Sequence, residues 1–454
     1  MSSNKNELTL PISAIILTGL WYIWTVSSSS NGRSPLPPGP CSLPIVGYLP
    51  FLSRDLHKQF VNMAHSYGPI FKFHLGSKLC VVINTPDLAK VVVREQDEIF
   101  ANRNATIAAL AITYGGQDVV MSDNNSDWRN LRKIFVHEVL SHKNVEASRY
   151  FRRDEVRKTI RNVYSKIGNT IDISEIAFST EAKVLTSMLW GNTSEEKANG
   201  GQITAELHII VANIVELMSK PNMSDIFPSL AWLDLQGIEQ NTKRQLDRTL
   251  WLQEQTQRQR LIEWAMAEIM QNHDIMKRIQ EELLQIVGPN KIVEESHLPK
   301  LQYLDATIKE TLRLHPVLPF ILPRSPSQDR VVGGYTIPKG CTVLLNVWAI
   351  HRDPRYWDNP LEFNQERFLT NKYDFKGSNL NFFPFGSGRR LCPGVPLAEK
   401  MQLYILASLL HSFDWSLPEG EDHDLLENFG ITLKKRNPLF AVPSQRLRNA
   451  NLYM

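Results

Sequence analysis

Cysteine is scarce in this chain: four in 454 residues, at Cys41, Cys80, Cys341 and Cys392, far from one another. That scatter excludes a disulfide framework and a multi-cysteine zinc site, and it fits a reducing compartment. Net charge is nearly absent too. Fifty basic side chains stand against 47 acidic ones, so nothing in the electrostatics calls for nucleic acid. No internal repeat, no low-complexity linker after residue 50 and no phosphate loop ending in Lys-Ser or Lys-Thr is present. With 43% hydrophobic residues the composition is ordinary for a globular protein with a large buried core.

One long stretch lacks charge altogether. Leu8 to Val26 is apolar, and as a helix it reaches about 28 Å, roughly the thickness of a bilayer core. Trp21, Tyr22 and Trp24 stand at one end, where aromatic belts form. The expectation is a membrane anchor over residues 1–30. A cleaved signal peptide is the competing reading, favoured by Ser27 to Ser30 and opposed by the length of the run. Residues 31–50 come next as a hinge: four prolines between Pro35 and Pro40 make a stiff extended connector.

In residues 51–454 the hydrophobic pattern predicts mainly α structure with small sheets. Leu56 to Tyr67 reads as helix, Phe71 to Ile83 as a hairpin turning at Gly76-Ser77, and Leu88 to Gln96 as helix again. From residue 126 to about 285 helical periodicity dominates. Leu301, Leu304, Ile308 and Leu312 form one apolar stripe. Val331 to Ile337 and Cys341 to Val347 read as strands around glycine turns.

The densest chemistry is Phe385-Gly386-Ser387-Gly388-Arg389-Arg390-Leu391-Cys392-Pro393-Gly394. It sets a single cysteine after a glycine-rich turn, beside arginines, at the mouth of the apolar helix Val395 to Leu410. Helix N–H groups and nearby positive charge stabilise a thiolate there, a ligand for a soft or borderline metal. Glycines let backbone approach a flat ligand closely, and Arg390 can pair with a carboxylate. Covalent haem attachment through Cys-x-x-Cys-His is absent.

These residues match the cysteine loop Phe-x-x-Gly-x-Arg-x-Cys-x-Gly of the cytochrome P-450 superfamily, which the chain resembles over nearly its whole length. The resemblance implies that fold, and haem b with Cys392 as axial iron ligand and Phe385 and Gly386 beside it. Glu310-Thr311-Leu312-Arg313 resembles the family's Glu-x-x-Arg pair, which Arg367 joins in a structural ion-pair cluster, with Gln365 where a proline is usual. Trp128 and Arg132, i and i+4, resemble the pair that holds a haem propionate. Arg103 and Arg324 match two further propionate ligands.

Asn346 to Pro354 and Gly333 to Pro338 look like plant microsomal members, nearest to sesquiterpene and flavonoid-like hydroxylases. This implies insertion of one oxygen atom from dioxygen into a lipophilic substrate. Electrons would come from NADPH through a reductase that meets Arg129, Lys133 and Arg389. The catalytic domain would face the cytosol from the endoplasmic reticulum membrane. Ala105 to Ile112 and Val317 to Leu322, both apolar, are the expected pocket walls.

One part of the family pattern is missing. Its distal helix carries an acid and an alcohol that relay protons during oxygen activation, and no such motif occurs here, so no catalytic residue is assigned. Ile262 to Glu268 resembles the residues just after that motif in plant members, but Gln253 to Arg260 is entirely polar. The chain is short by roughly fifty residues at this one place, joined at Arg260-Leu261. Thr256 and Glu254 are the nearest substitutes, without an apolar frame around them. The alternatives are a catalytically impaired splice or truncated form that binds haem or a partner, and a membrane-tethered haem or lipid carrier.

Overall fold

The computed structural model describes residues 34–190, 222–246, 255–370, 372–420 and 424–454, with Gly19, Asn213, Leu217 and Met218 singly. Of the expected anchor, Leu8 to Val26, only Gly19 is described. Among the described residues, no helix is long and apolar enough to cross a membrane.

The helices that frame the site are α1 (Leu56–Tyr67), α2 (Ile107–Ile112), α3 (Ser126–Ile134), α4 (Arg149–Tyr164), α5 (Ile173–Trp190), α6 (Gln255–Gln271), α7 (His273–Ile286), α8 (Gln302–Leu314) and α9 (Val395–Ser412). The strands are short: β1 (Ile70–Leu75), β2 (Lys78–Ile83), β3 (Ile171–Asp172), β4 (Arg330–Val332), β5 (Tyr335–Ile337), β6 (Thr342–Leu345), β7 (Phe413–Ser416), β8 (Glu427–Asn428), β9 (Lys434–Lys435) and β10 (Phe440–Gln445). They form two three-stranded sheets, β1-β2-β6 and β3-β10-β7, and two ribbons, β4-β5 and β8-β9. The mainly α reading with small sheets holds.

The helical core is built around α9. It is apolar on all sides, Val395 through Ser412 being buried almost without interruption, as befits a central helix rather than a surface one. Around it pack α4, α6, α7 and α8. In α6, Leu261, Ile262, Trp264, Ala265, Met266, Ala267 and Ile269 are all fully buried. The stripe of α8 is buried as well, and so are its threonines. Thr307 and Thr311 donate back to the carbonyls of Tyr303 and Thr307, which satisfies both hydroxyls inside the core. Glu282 of α7 accepts from the Tyr303 and Leu304 N–H groups at 2.7 and 3.0 Å and so caps the start of α8.

The β1-β2-β6 sheet combines a hairpin with a distant strand. β1 and β2 are antiparallel, and β6 joins β2 in parallel, Cys80 opposite Thr342. The sheet also fixes two loops. Arg324 exchanges backbone hydrogen bonds with Val343, and Ser325 N–H donates to the Asn102 carbonyl at 2.9 Å. Arg324 and Arg103, far apart in sequence, are thereby brought to one place.

Candidate functional site

Cys392 lies just before α9, whose N-cap is Gly394 and whose first turn holds Pro396. Its N–H donates to the Phe385 carbonyl at 3.0 Å, which closes the loop on itself. Gly388 is required in this loop. Its φ is +69°, and a Cβ there would lie 1.9 Å from the Val93 carbonyl oxygen.

Behind the loop lies a buried ion-pair cluster. Arg313 grips Glu310 with two hydrogen bonds of 2.7 Å and donates further to the carbonyls of His351, Pro360 and Glu362. Both side chains have no solvent exposure. Arg367 approaches Glu310 at 3.5 Å, and the Asn364 N–H donates to the same carboxylate. Burial raises the Glu310 pKa, against the opposing effect of the arginines. Gln365, in the position where proline is usual, hydrogen-bonds the Tyr303 hydroxyl of α8.

A residue that sequence reasoning missed joins this cluster to the cysteine loop. The carbonyl of His351 accepts from Arg313, while its Nε2 accepts from the Phe383 N–H at 3.1 Å. The ring must be neutral at that nitrogen to accept. Burial, then the Arg313 and Arg352 charges, push its pKa down to about 3. Within His351-Arg352-Asp353-Pro354 no spacing signals this role.

In front of the loop opens a cavity of about 1140 Å³, counting solvent at its mouth. Cys392, Phe385 and Gly386 form one wall, and Leu318, Ile321, Leu322, Val119, Val120, Met121, Ile431 and Thr432 supply apolar surface. Arg103, Arg132, Arg324 and Arg390 line it too, and among the described lining residues there is no carboxylate. Burial, then the charges of Arg390 and Arg324, hold the Arg103 pKa well below its usual value. Burial pushes both Arg324 and Arg390 down to about 10, with Arg324 and Arg132 adding to the effect on Arg390. Arg132 is lowered by burial, with Cys392 opposing.

The four arginines differ in their hydrogen bonds. Arg103 donates to the carbonyls of Val120, Leu322 and Pro323. Arg390 donates to Ala101 and Ser122 and lies 4.0 Å above the Trp128 ring. Arg132 donates to the Leu391 carbonyl at 2.5 Å. Arg324 donates one bond, to Ser387, and its Nε and Nη1 are buried without a partner. An arginine 1% exposed with two unsatisfied donors, beside three like charges, is a costly arrangement unless an anion completes it. A flat dianionic metal cofactor would supply that anion, and Cys392 would be the residue to ligate its metal.

Several expectations need correction. The Trp128 indole N–H donates to the Val119 carbonyl at 2.9 Å rather than into the cavity. Arg389 is paired with Asp97 and Glu98, at 3.2 and 3.5 Å, while Arg129 and Lys133 remain exposed. Ala105 to Ile112 does not line the cavity. Its helix α2 packs instead on the helix Ile238–Leu246, and Asp225 fixes its start by accepting from the Ile107 N–H. Val119 to Met121, an apolar triplet visible in the sequence, takes that place, with Ile431 and Thr432, which carry no local signal. Thr256 and Glu254 lie where the structure describes no side chain. Among the described residues, none of α6 lines the cavity.

Comparison with known proteins gives a consistent pattern. The profile of the family described as Cytochrome P450 matches residues 37–256 and 261–442. Ferruginol synthase of Isodon rubescens is 33% identical, with 94% of this chain and 98% of that protein aligned. Cytochrome P450 76C1 of Arabidopsis thaliana is 34% identical over 95% and 96%, and geranylhydroquinone 3''-hydroxylase of Arnebia euchroma 34% over 90% and 94%. A zebra fish cytochrome P450 with abiraterone superposes with a TM-score of 0.69 at 23% identity, covering 87% of this chain and all of that one. The profile match breaks between 256 and 261, at the junction read from the sequence. The ferruginol synthase alignment spans 487 positions but only 94% of 454 residues, about 427, so about sixty positions have no counterpart here.

Proposed function

Because this chain belongs to the cytochrome P450 family, whose cofactor is haem held by a cysteine thiolate, we propose that it binds haem in the four-arginine cavity and hydroxylates a terpenoid or prenylated phenolic. The observation that carries the site is Arg324, buried with two donors unpartnered beside three further guanidiniums. Cys392 would supply the thiolate ligand, and Arg324, Arg103, Arg132 and Arg390 would neutralise the carboxylates of the haem. The haem, when bound, supplies the oxygen chemistry. The chain's own residues hold it, exclude water through Leu318, Ile321 and Ile431, and orient an apolar substrate against that wall. The named activities of two relatives, ferruginol synthase and geranylhydroquinone 3''-hydroxylase, support the substrate class. Electrons arrive from NADPH through a reductase meeting Arg129 and Lys133, and Leu8 to Val26 anchors the chain in the endoplasmic reticulum membrane with the catalytic body in the cytosol.

The carbon monoxide difference spectrum of the reduced, haem-loaded protein tests the site. A red-shifted Soret band that vanishes in Cys392→Ser is expected. No such band in the parent chain overturns the assignment.

A specific observation favours a second reading, in which the chain binds haem but activates oxygen poorly. The family match breaks where the acid–alcohol pair belongs, and α6 leaves the cavity unlined. Inserting the corresponding segment of a relative between Arg260 and Leu261 raises turnover by about a hundred- to ten-thousandfold on this reading, the usual range for restored proton transfer. Equal turnover with and without the insert excludes it.

A further inference from the structure

The ribbon β8-β9 has only two residue pairs, Glu427 with Lys435 and Asn428 with Lys434. Two pairs do not hold a hairpin in place by themselves. Yet its tip supplies Ile431 and Thr432 to the cavity wall facing the cysteine loop. One fastening of that tip lies at its β8 base. The Glu427 carboxylate is 9% exposed and sits in a nest drawn from three separate parts of the chain. From α1 come His57 Nε2 at 3.4 Å and Lys58 Nζ at 3.6 Å. From the end of α8 comes His315 Nδ1 at 3.6 Å, and from the segment after β6 comes Arg352 Nη2 at 3.7 Å.

The nest is itself rigidly backed. His315 bonds Glu268 of α6 through Nε2 at 2.7 Å and stacks on Trp264 at 4.0 Å between ring centres, the planes 2° apart. Arg352 donates to the Leu314 carbonyl and lies 4.0 Å over the Trp348 ring. His57 stacks on Phe429, which belongs to the hairpin turn itself, and meets the Trp348 ring edge-on. The β9 side is fastened as well: the Leu433 N–H donates to the Val317 carbonyl at 2.8 Å, the Trp264 indole reaches the Leu433 carbonyl at 3.4 Å, and Lys435 donates to the Asp424 carbonyl.

We infer that Glu427 is a positioning residue for substrate specificity: its carboxylate, held by His57, Lys58, His315 and Arg352, sets where Ile431 and Thr432 stand in the cavity. The inference rests on reading that cavity as the haem and substrate pocket. Glu427 touches neither haem nor substrate, and acts only through the hairpin. Burial opposes its charge, but the two facing imidazoles and the Arg352 guanidinium outweigh that and keep it ionised far into acid.

Two measurements on the full chain test this with Glu427→Gln and Glu427→Ala. Hydrogen exchange over residues 427–435 is expected to quicken at least tenfold in Glu427→Ala and less in Glu427→Gln, with α9 unchanged in both. In the haem-loaded protein, Soret titrations with imidazole and with the bulky clotrimazole act as a steric ruler. The ratio of their Kd values is expected to shift at least fivefold while imidazole alone binds as before. Ile431→Ala, which leaves the base intact, is expected to shift the same ratio without changing exchange. Unchanged exchange in the hairpin, or a rise that spreads through α9, overturns the inference, and so does an unchanged ratio in all three variants. If the parent chain does not take up haem, the functional reading fails, while the exchange experiment still decides whether Glu427 holds the tip.

Discussion

On one side of the cysteine loop, Arg313 places its donors on Glu310 and on three backbone carbonyls; on the other, Arg324 leaves two nitrogens without any partner. Both guanidiniums are buried, 0% and 1% exposed, so solvent explains neither. On the rear side Arg313 is satisfied within the polypeptide, while Arg367 Nε stands 3.5 Å from Glu310 without a hydrogen bond. The front side is completed only by something the polypeptide does not contain. A buried guanidinium whose donors the chain satisfies reads as scaffold, and one left open against a cavity reads as a binding site.

The contrast is broken most severely from the closed side. Glu310→Ala leaves Arg313 buried and unpaired, and about 3–5 kcal/mol of stability is expected to be lost, measured by denaturant unfolding. A loss below about 1 kcal/mol means the cluster is not the scaffold described. A pH titration of stability reads the same side more finely. The folded-state pKa of His351, about 3, lies below the ordinary value near 6.5, so the unfolded chain takes up the proton first. Its contribution is therefore complete above about pH 6.5 and disappears as pH falls toward 3. Across that window the parent is expected to lose stability more steeply than His351→Asn, by up to about 1.4 kcal/mol per pH unit. Parallel pH curves dissociate His351 from the Phe383 N–H.

The smallest expected effect lies on the open side, and there the sign matters more than the size. Arg324→Gln removes an uncompensated buried charge, so the haem-free chain is expected to gain about 1 kcal/mol in unfolding free energy. The same change weakens haem binding by about tenfold, the order of one charged hydrogen bond. Loss of stability without haem places Arg324 with the scaffold instead.

Legibility in the sequence divides along the same line. Glu310 and Arg313 are one helical turn apart, and the cysteine loop is contiguous, so local spacing exposes both. Arg103 and Arg324 converge through the long-range contacts Asn102–Ser325 and Arg324–Val343 and through Arg103 bonding Leu322 and Pro323, and likeness to known sequences, not spacing, pointed to them. His351 acts through a contact with Phe383, and Ile431 and Thr432 through a hairpin too short to show alternation. Ala105 to Ile112 misled because an apolar run does not say which surface it meets: its helix packs on Ile238–Leu246 with Leu110 exposed, away from the cavity.

The placement of the junction at Arg260-Leu261 has a consequence for chain closure. Two long-range pairings enclose it: β2 with β6, across residues 84–341, and β3 with β10, across 173–439. Closing a loop of about 260 residues rather than about 310 changes the entropic term by only about 0.2 kcal/mol, because that term grows with the logarithm of length. The two sheets therefore form as readily around the shortened segment as around a full-length one. The frame that gathers the arginines and the cysteine is thus insensitive to chain length at that point.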